Sequence, residues 1–168
     1  LAFAEQKPIY AFSTLEAMAL AFSGGAYADG IVCGLMDARR NQVYIGIYEF
    51  EDEKLSIIEP QMAVGIEELA ERLCRFPNDR GIIFLGDGVP VHRERLQNEL
   101  LVNYKISFAP AHMNQQRAAA LGTLAMDYYR TGRVETAAEH KPDYLRLSQA
   151  ERERAERELA KKNTESNC

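Results

Sequence analysis

Few stretches of this chain carry residues whose types and spacing could do chemistry. Asp37 ends an apolar run and is followed by Arg39 and Arg40. A carboxylate at the end of a strand can help to hold Mg²⁺, but a magnesium site needs further oxygen ligands. Here Glu49, Glu59 or Asp87 would have to converge on it. The two arginines beside it favour a turn or an ion pair instead. Gly86-Asp87-Gly88 follows a short apolar run and precedes a helix pattern, a place where backbone N–H groups can meet a phosphate. The chain has neither GxGxxG nor GxxxxGK[ST], so a tight strand-to-helix turn is the simpler expectation, with Asp87 capping the helix that follows. His92, His112 and His140 have no HxxxH or HExxH spacing and read as ordinary surface or core histidines. There is no G-x-S-x-G nucleophile motif. Arginines from Arg152 onward are interleaved with glutamates, which favours a solvated, self-paired helix over an RNA-binding arm. A chain organised this well without a legible catalytic constellation points to a binding or scaffold role, with no catalytic residue, metal or cofactor of its own.

The elements that must position these residues are organised around residues 31–50. Two apolar runs, 31–36 and 43–48, flank the polar break 37–42, the pattern of a β-hairpin with a loop longer than the tightest turns. In the second run Val43, Ile45 and Ile47 face one way and Tyr44, Gly46 and Tyr48 the other. Both faces can be covered, so this pair should be central. Before it, residues 1–5 read as a helix end and 9–12 as a short strand. Ser13-Thr14-Leu15-Glu16 reads as a capping box opening a helix through Phe22. Residues 24–30 are the best boundary. After it come a strand at 55–64, with Pro60 placing it at an edge or a bulge, and an amphipathic helix at 65–76 with Ile66, Leu69, Ala70, Leu73 and Cys74 on one face. A buried parallel strand is expected at 81–85. A helix from Pro90 has Val91, Leu96 and Leu100 as its weak stripe. A last short strand spans 105–109, and the most apolar helix spans 115–130. Residues 141–146 are extended because Pro142 disfavours helix before it. Ser148-Gln149-Ala150-Glu151 is a second capping box, opening a charged helix.

From residue 31 the order is thus β-β-β-α-β-α-β-α. An antiparallel meander feeds βαβ crossovers, which gives an α/β fold with a mixed β-sheet and flanking helices, the element order of a ribonuclease-H-like fold. The strand and helix at 8–22 do not fit that unit and read as the end of a preceding one.

Composition narrows the function. The 168 residues suit one domain or slightly more. A net charge of −5 argues against a protein that grips nucleic acid alone, though not against an acidic subunit of an RNA-handling assembly. Cys33, Cys74 and Cys168 have no paired spacing. The first two read as buried thiols, which suits a reducing cytoplasm. No apolar run would span a bilayer and no signal peptide is present, so no membrane is expected. The chain begins with Leu, and a truncated or processed chain is expected.

Several segments occur together in a telling order: STLEAMA at 13–19, MDARRNQVY at 36–44, GDG at 86–88 and PDYLR at 142–146, followed by SQAERE at 148–153. Together they resemble the TsaB (YeaZ) family. DARRxxVY is the strongest of them, and the match covers essentially the whole chain. The resemblance implies a lobe of an actin-like ATPase (ASKHA) fold. It implies a non-catalytic paralogue of the transferase TsaD that pairs with TsaD and the ATPase TsaE. Such a complex supports threonylcarbamoyl transfer to the adenosine next to the anticodon, so tRNA would be met indirectly, and a homodimer is possible. Family members begin with a first lobe and a GPGSFTGLR segment that this chain does not contain. The implied division is 1–24 as the remnant of an N-terminal lobe, 31–147 as the second lobe and 148–168 as a charged tail. Asp37, Arg39, Arg40, Asp87, Tyr144 and Arg146 are the structural or interface candidates, with Tyr144, Leu145 and Arg146 expected to tie the C-terminal segment to the body. The alternatives are an ATP-binding or glycoprotease-like enzyme of the same fold, and direct RNA binding by the tail.

Overall fold

The structure is a computed structural model that describes residues 1–23, 30–52 and 54–145. The expected hairpin is there: β1 (Ile31–Asp37) pairs antiparallel with β2 (Gln42–Glu51), which pairs antiparallel with β3 (Lys54–Gly65). After α2 (Ile66–Leu73) the chain crosses to β4 (Ile82–Leu85), parallel to β1. It then passes α3 (Val89–Arg95) to β5 (Ile106–Phe108), parallel to β4. The sheet order is β3-β2-β1-β4-β5. Pro60 is tolerated because β3 is an edge strand and because its register against β2 shifts near Ile47.

Alternation along the central strands divides the core in two. Ile31, Cys33, Leu35, Val43, Ile45, Ile47, Ile82 and Phe84 face one side, where Ile66, Leu69, Ala70 and Leu73 of α2 and Val89 of α3 cover them. Burying each such leucine or isoleucine contributes about 1.5–3 kcal/mol. Val32, Tyr48, Ile83 and Leu85 face the other side, under Leu15, Met18, Ala19 and Phe22 of the segment containing α1 (Thr14–Leu20). Gly34 and Gly46 sit opposite each other in the β1–β2 register. A Cβ at Gly34 would lie 3.0 Å from Leu15 Cδ2, and one at Gly46 would overlap the Tyr48 ring. The glycine pair is therefore what lets α1 and Tyr48 settle onto this face.

Several expectations change. Residues 9–12 form no strand beyond one bridge between Ile9 and Glu135. Residues 2–6 are a turn, not a helix end. Cys74 is exposed, because α2 stops at Leu73 and Cys74 is its C-cap. In α3 the buried residues are Val89 and His92, and Val91 is 62% exposed. A π-type turn at Leu96–Leu100 follows, closed by Leu101 N–H donating to the Leu96 carbonyl at 2.9 Å. This keeps Leu96 and Leu101 inward. The most apolar helix, α4 (Ala118–Thr131), buries only Leu124. The boundary loop, Cys168 and the second capping box with its charged helix lie outside the described residues.

Candidate functional site

Asp37 and Asp87 meet at the C-terminal ends of the parallel strands β1 and β4. In open α/β sheets this is where ligands bind. Asp87 does not cap α3. Its Oδ1 accepts the backbone N–H of Asp37 at 3.2 Å, tying the turn after β4 to the end of β1. Gly88 is the N-cap and donates its N–H to the Leu35 carbonyl at 3.0 Å. Gly86 lies at φ +119°, and a Cβ there would overlap the Leu35 carbonyl oxygen. Both the conformation and the close approach therefore demand glycine. The Gly86 N–H donates to Asn114 Oδ1 at 3.1 Å. Two of the N–H groups that could have cradled a phosphate, those of Gly86 and Gly88, are thus given to Asn114 and Leu35. A cavity of about 300 Å³ beside this turn is lined by Met18, Met36, Asp87, Asn114, Gln115 and Gln116.

The carboxylates that might have joined Asp37 around a metal are elsewhere. Glu49 pairs with Arg80 and sits across from Ile31, at the opposite end of β1. Glu59 is held by Arg72 at 2.7 Å and Arg75 at 3.9 Å. Among the described residues no group of three His, Cys, Asp or Glu side chains is placed to hold a metal ion.

Arg39 and Arg40 sit at the hairpin tip. Asp37 Oδ1 accepts the Arg39 N–H at 2.9 Å, and its Oδ2 lies 3.4 Å from the Arg39 guanidinium. The tip closes with Ala38 N–H donating to the Gln42 carbonyl and Gln42 N–H donating to the Arg39 carbonyl, both at 3.0 Å. Arg39, Arg40 and Asn41 all lie in the left-handed region, at φ 64°, 53° and 59°. For residues with a Cβ each such conformation costs on the order of 1–3 kcal/mol, so the surroundings must hold it. They do so through Asn41. Its Nδ2 donates to both Glu67 oxygens, at 3.2 and 3.3 Å, and its Oδ1 accepts from Arg95 Nη1 at 3.0 Å. Arg95 also pairs with Glu67. Hydrogen bonding by its own backbone, then by Arg95, holds the Glu67 carboxyl below the usual carboxylate range.

Two buried titratable groups lie on opposite faces. His92 is 5% exposed and its Nε2 has no partner among the described residues. Burial pushes its imidazole below the usual histidine range, against the opposing pull of Asp37. On the other face Glu16 is 6% exposed, with both carboxylate oxygens accepting from the Tyr128 hydroxyl, at 3.0 and 3.2 Å. Burial pushes the Glu16 carboxyl up, and the Tyr128 hydrogen bond offsets part of that. Tyr128 is itself pushed up to about 12, by burial and then by the Glu16 charge. The capping box is therefore half made. Ser13 Oγ accepts the Leu15 N–H at 3.2 Å, but Glu16 serves Tyr128 instead of turning back.

The family model for TsaD, tRNA N6-adenosine threonylcarbamoyltransferase, matches residues 1–154. The chain belongs to this family. It is similar to the tRNA threonylcarbamoyladenosine biosynthesis protein TsaB of Bacillus subtilis (strain 168), 33% identical over 153 residues, which is 90% of this chain and 61% of that protein. It is similar in fold to YeaZ from Pseudomonas aeruginosa, with a TM-score of 0.64, 24% identity, and coverage of 86% of this chain and 62% of that one. A crystal structure of an uncharacterized protein with similarity to the peptidase YeaZ from Pseudomonas aeruginosa matches at TM-score 0.65 with the same identity and coverage. The chain thus spans about three fifths of the length of these relatives, and its mixed sheet is the actin-like fold the sequence resemblance implied.

Within this TsaD-family chain, the structure brings Asp37, Asp87, Arg39 and Arg40 to one end of the sheet and leaves Tyr144 apart. Tyr144 is 84% exposed. The C-terminal segment is tied down one residue earlier, by Gln61 Nε2 donating to Asp143 Oδ2 at 2.8 Å. Arg146 lies outside the described residues. Sequence reasoning missed Asn41, Glu67 and Arg95. Asn41 carried a readable signal, since asparagine tolerates the left-handed region better than most residues. Glu67 and Arg95, which lie 26 and 54 positions further on, carried none.

Proposed function

We propose that this chain is a non-catalytic scaffold or activator subunit in the synthesis of threonylcarbamoyladenosine on tRNA. It would support a TsaD-like transferase together with a TsaE-like ATPase and meet tRNA through that complex. The observation that carries the reading is the similarity to TsaB over nine tenths of the chain. The geometry agrees with it: at the strand ends, Asp37, Asp87, Gly86 and Gly88 spend hydrogen-bonding groups on one another or on Leu35 and Asn114. The test is nucleoside mass spectrometry of hydrolysed tRNA from the host after depletion of the protein. A fall in threonylcarbamoyladenosine is expected, and unchanged levels would overturn the proposal.

One observation favours a second reading, an ATP-binding member of the same fold. The cavity beside Asp87 and Asn114 stands where parallel sheets bind nucleotides. Calorimetric titration of the full chain with Mg-ATP decides it. Saturable heat that Asn114→Ala abolishes would favour the enzyme over the scaffold.

A further inference from the structure

The hairpin tip holds a conformation that its own sequence resists, and other elements enforce it. Every polar atom of the Asn41 side chain is committed to Glu67 of α2 or to Arg95 of α3. The Asn41 carbonyl accepts the Ile66 N–H at 3.3 Å, so the backbone is also fastened to the start of α2. Asp37 fastens the other side through the Arg39 N–H. What this clamp delivers is the presentation of two cations. Arg40 is exposed, and its guanidinium has no ion pair or hydrogen bond among the described residues. The Arg39 side chain is 87% exposed, and its one ion pair among the described residues is with Asp37.

We propose that this tip is a docking point for a partner protein that presents an acidic patch, with Arg40 and Arg39 as the receiving cations. The inference rests on the subunit reading above and deepens it. Arginine is enriched among residues that dominate interface energetics, and its planar fork suits paired carboxylates. A tip already held in one shape loses little further freedom on binding. A protein partner fits better than a nucleic acid. Useful phosphate-backbone affinity takes more cations than the two this tip offers.

The test measures binding of the full chain to immobilised TsaD-like and TsaE-like proteins of the same host by interferometry. Arg39→Glu combined with Arg40→Glu should weaken binding to one of them at least tenfold, chiefly through faster dissociation, with the melting temperature unchanged. Asn41→Ala keeps both cations but frees the loop, and should weaken the same interaction several-fold. If the wild-type chain binds and the double variant binds equally well, the inference is overturned while the subunit reading stands. Unchanged protein affinities with loss of tRNA binding in fluorescence anisotropy would also overturn it, in favour of a nucleic-acid contact. If the wild-type chain binds neither protein although its depletion lowers threonylcarbamoyladenosine, the docking inference falls alone.

Discussion

The two faces of the sheet are closed by different physics. On the α2–α3 side, the side chains of Ile66, Leu69 and Leu73 interlock with Ile31, Leu35, Ile45 and Ile47, all fully buried. On the other side α1 is well seated, but α4 contributes Leu124 alone to the buried set. There the closure is polar and aromatic. Tyr128 bonds Glu16, meets Phe12 edge-on at 5.8 Å between ring centroids and lies under the Arg133 guanidinium at 4.8 Å. Hydrocarbon packing is non-directional and adds up over many contacts, whereas a latch of a few directional contacts concentrates stability on single atoms. The first face should resist as a unit, and the second should open one helix at a time.

The largest effect that would test this contrast is a pair of truncations. Leu69→Ala should cost about 2–5 kcal/mol in urea unfolding, since a fully buried leucine leaves a cavity in a close-packed layer. Leu124→Ala should cost less globally, and its signature should be faster amide exchange confined to α4. Equal global losses would break the comparison.

Next is Tyr128→Phe, which removes the donor to a buried carboxyl and leaves it unsatisfied. A loss of about 1–3 kcal/mol is expected. It should again register as exchange in α4, with the α2 amides unchanged.

A smaller effect is the pH dependence, where the faces should have opposite slopes. His92 has a depressed folded pKa, so its contribution is full above the unfolded value and is lost as pH falls below it toward the folded one. Glu16 has a raised folded pKa, so its contribution is full at low pH and is lost as pH rises through the unfolded value toward the folded one. His92→Leu should flatten the acid-side decline in melting temperature, and Glu16→Gln should flatten the decline above the carboxylate range. If both substitutions altered the same limb, the assignment of one titrating group to each face would fail.

The smallest effect sharpens the picture of α4. Met126 is exposed, so Met126→Ala should change stability by no more than about 0.5 kcal/mol despite the apolar character of its helix.

How much of this could be read in advance varies by region. The central hairpin, the edge position of the strand carrying Pro60 and the inward residues Ile66, Leu69, Ala70 and Leu73 were legible, because burial there imposes a period of 2 or 3.6 on neighbouring residues. Apolar composition misled at 118–131. A helix rich in alanine and leucine reads as core, yet α4 lies at the edge of the packed unit and, among the described residues, buries Leu124 alone. Val91 misled because it lies five residues before the buried Leu96, about 140° around an α-helix, so the two cannot share a face.

At the candidate site, sequence alone picked out Asp37, Arg39, Arg40 and Asp87 as polar residues at strand ends, and the ordered motifs pointed to the family. It could not say that Asp87 would bond the Asp37 backbone, since the two are 50 positions apart. Nor could it give the left-handed Arg39 and Arg40 at the tip, because no local preference of arginine supports that conformation. Their conformation is imposed by Glu67 and Arg95, which reach Asn41 only once α2 and α3 have packed on the sheet. Periodicity is a property of neighbours along the chain, and so the sequence by itself determined the elements and their order. The choice of polar partner depends on which distant residues folding brings within hydrogen-bonding distance, and so only the tertiary structure decided which of the described charges are paired and which are left exposed.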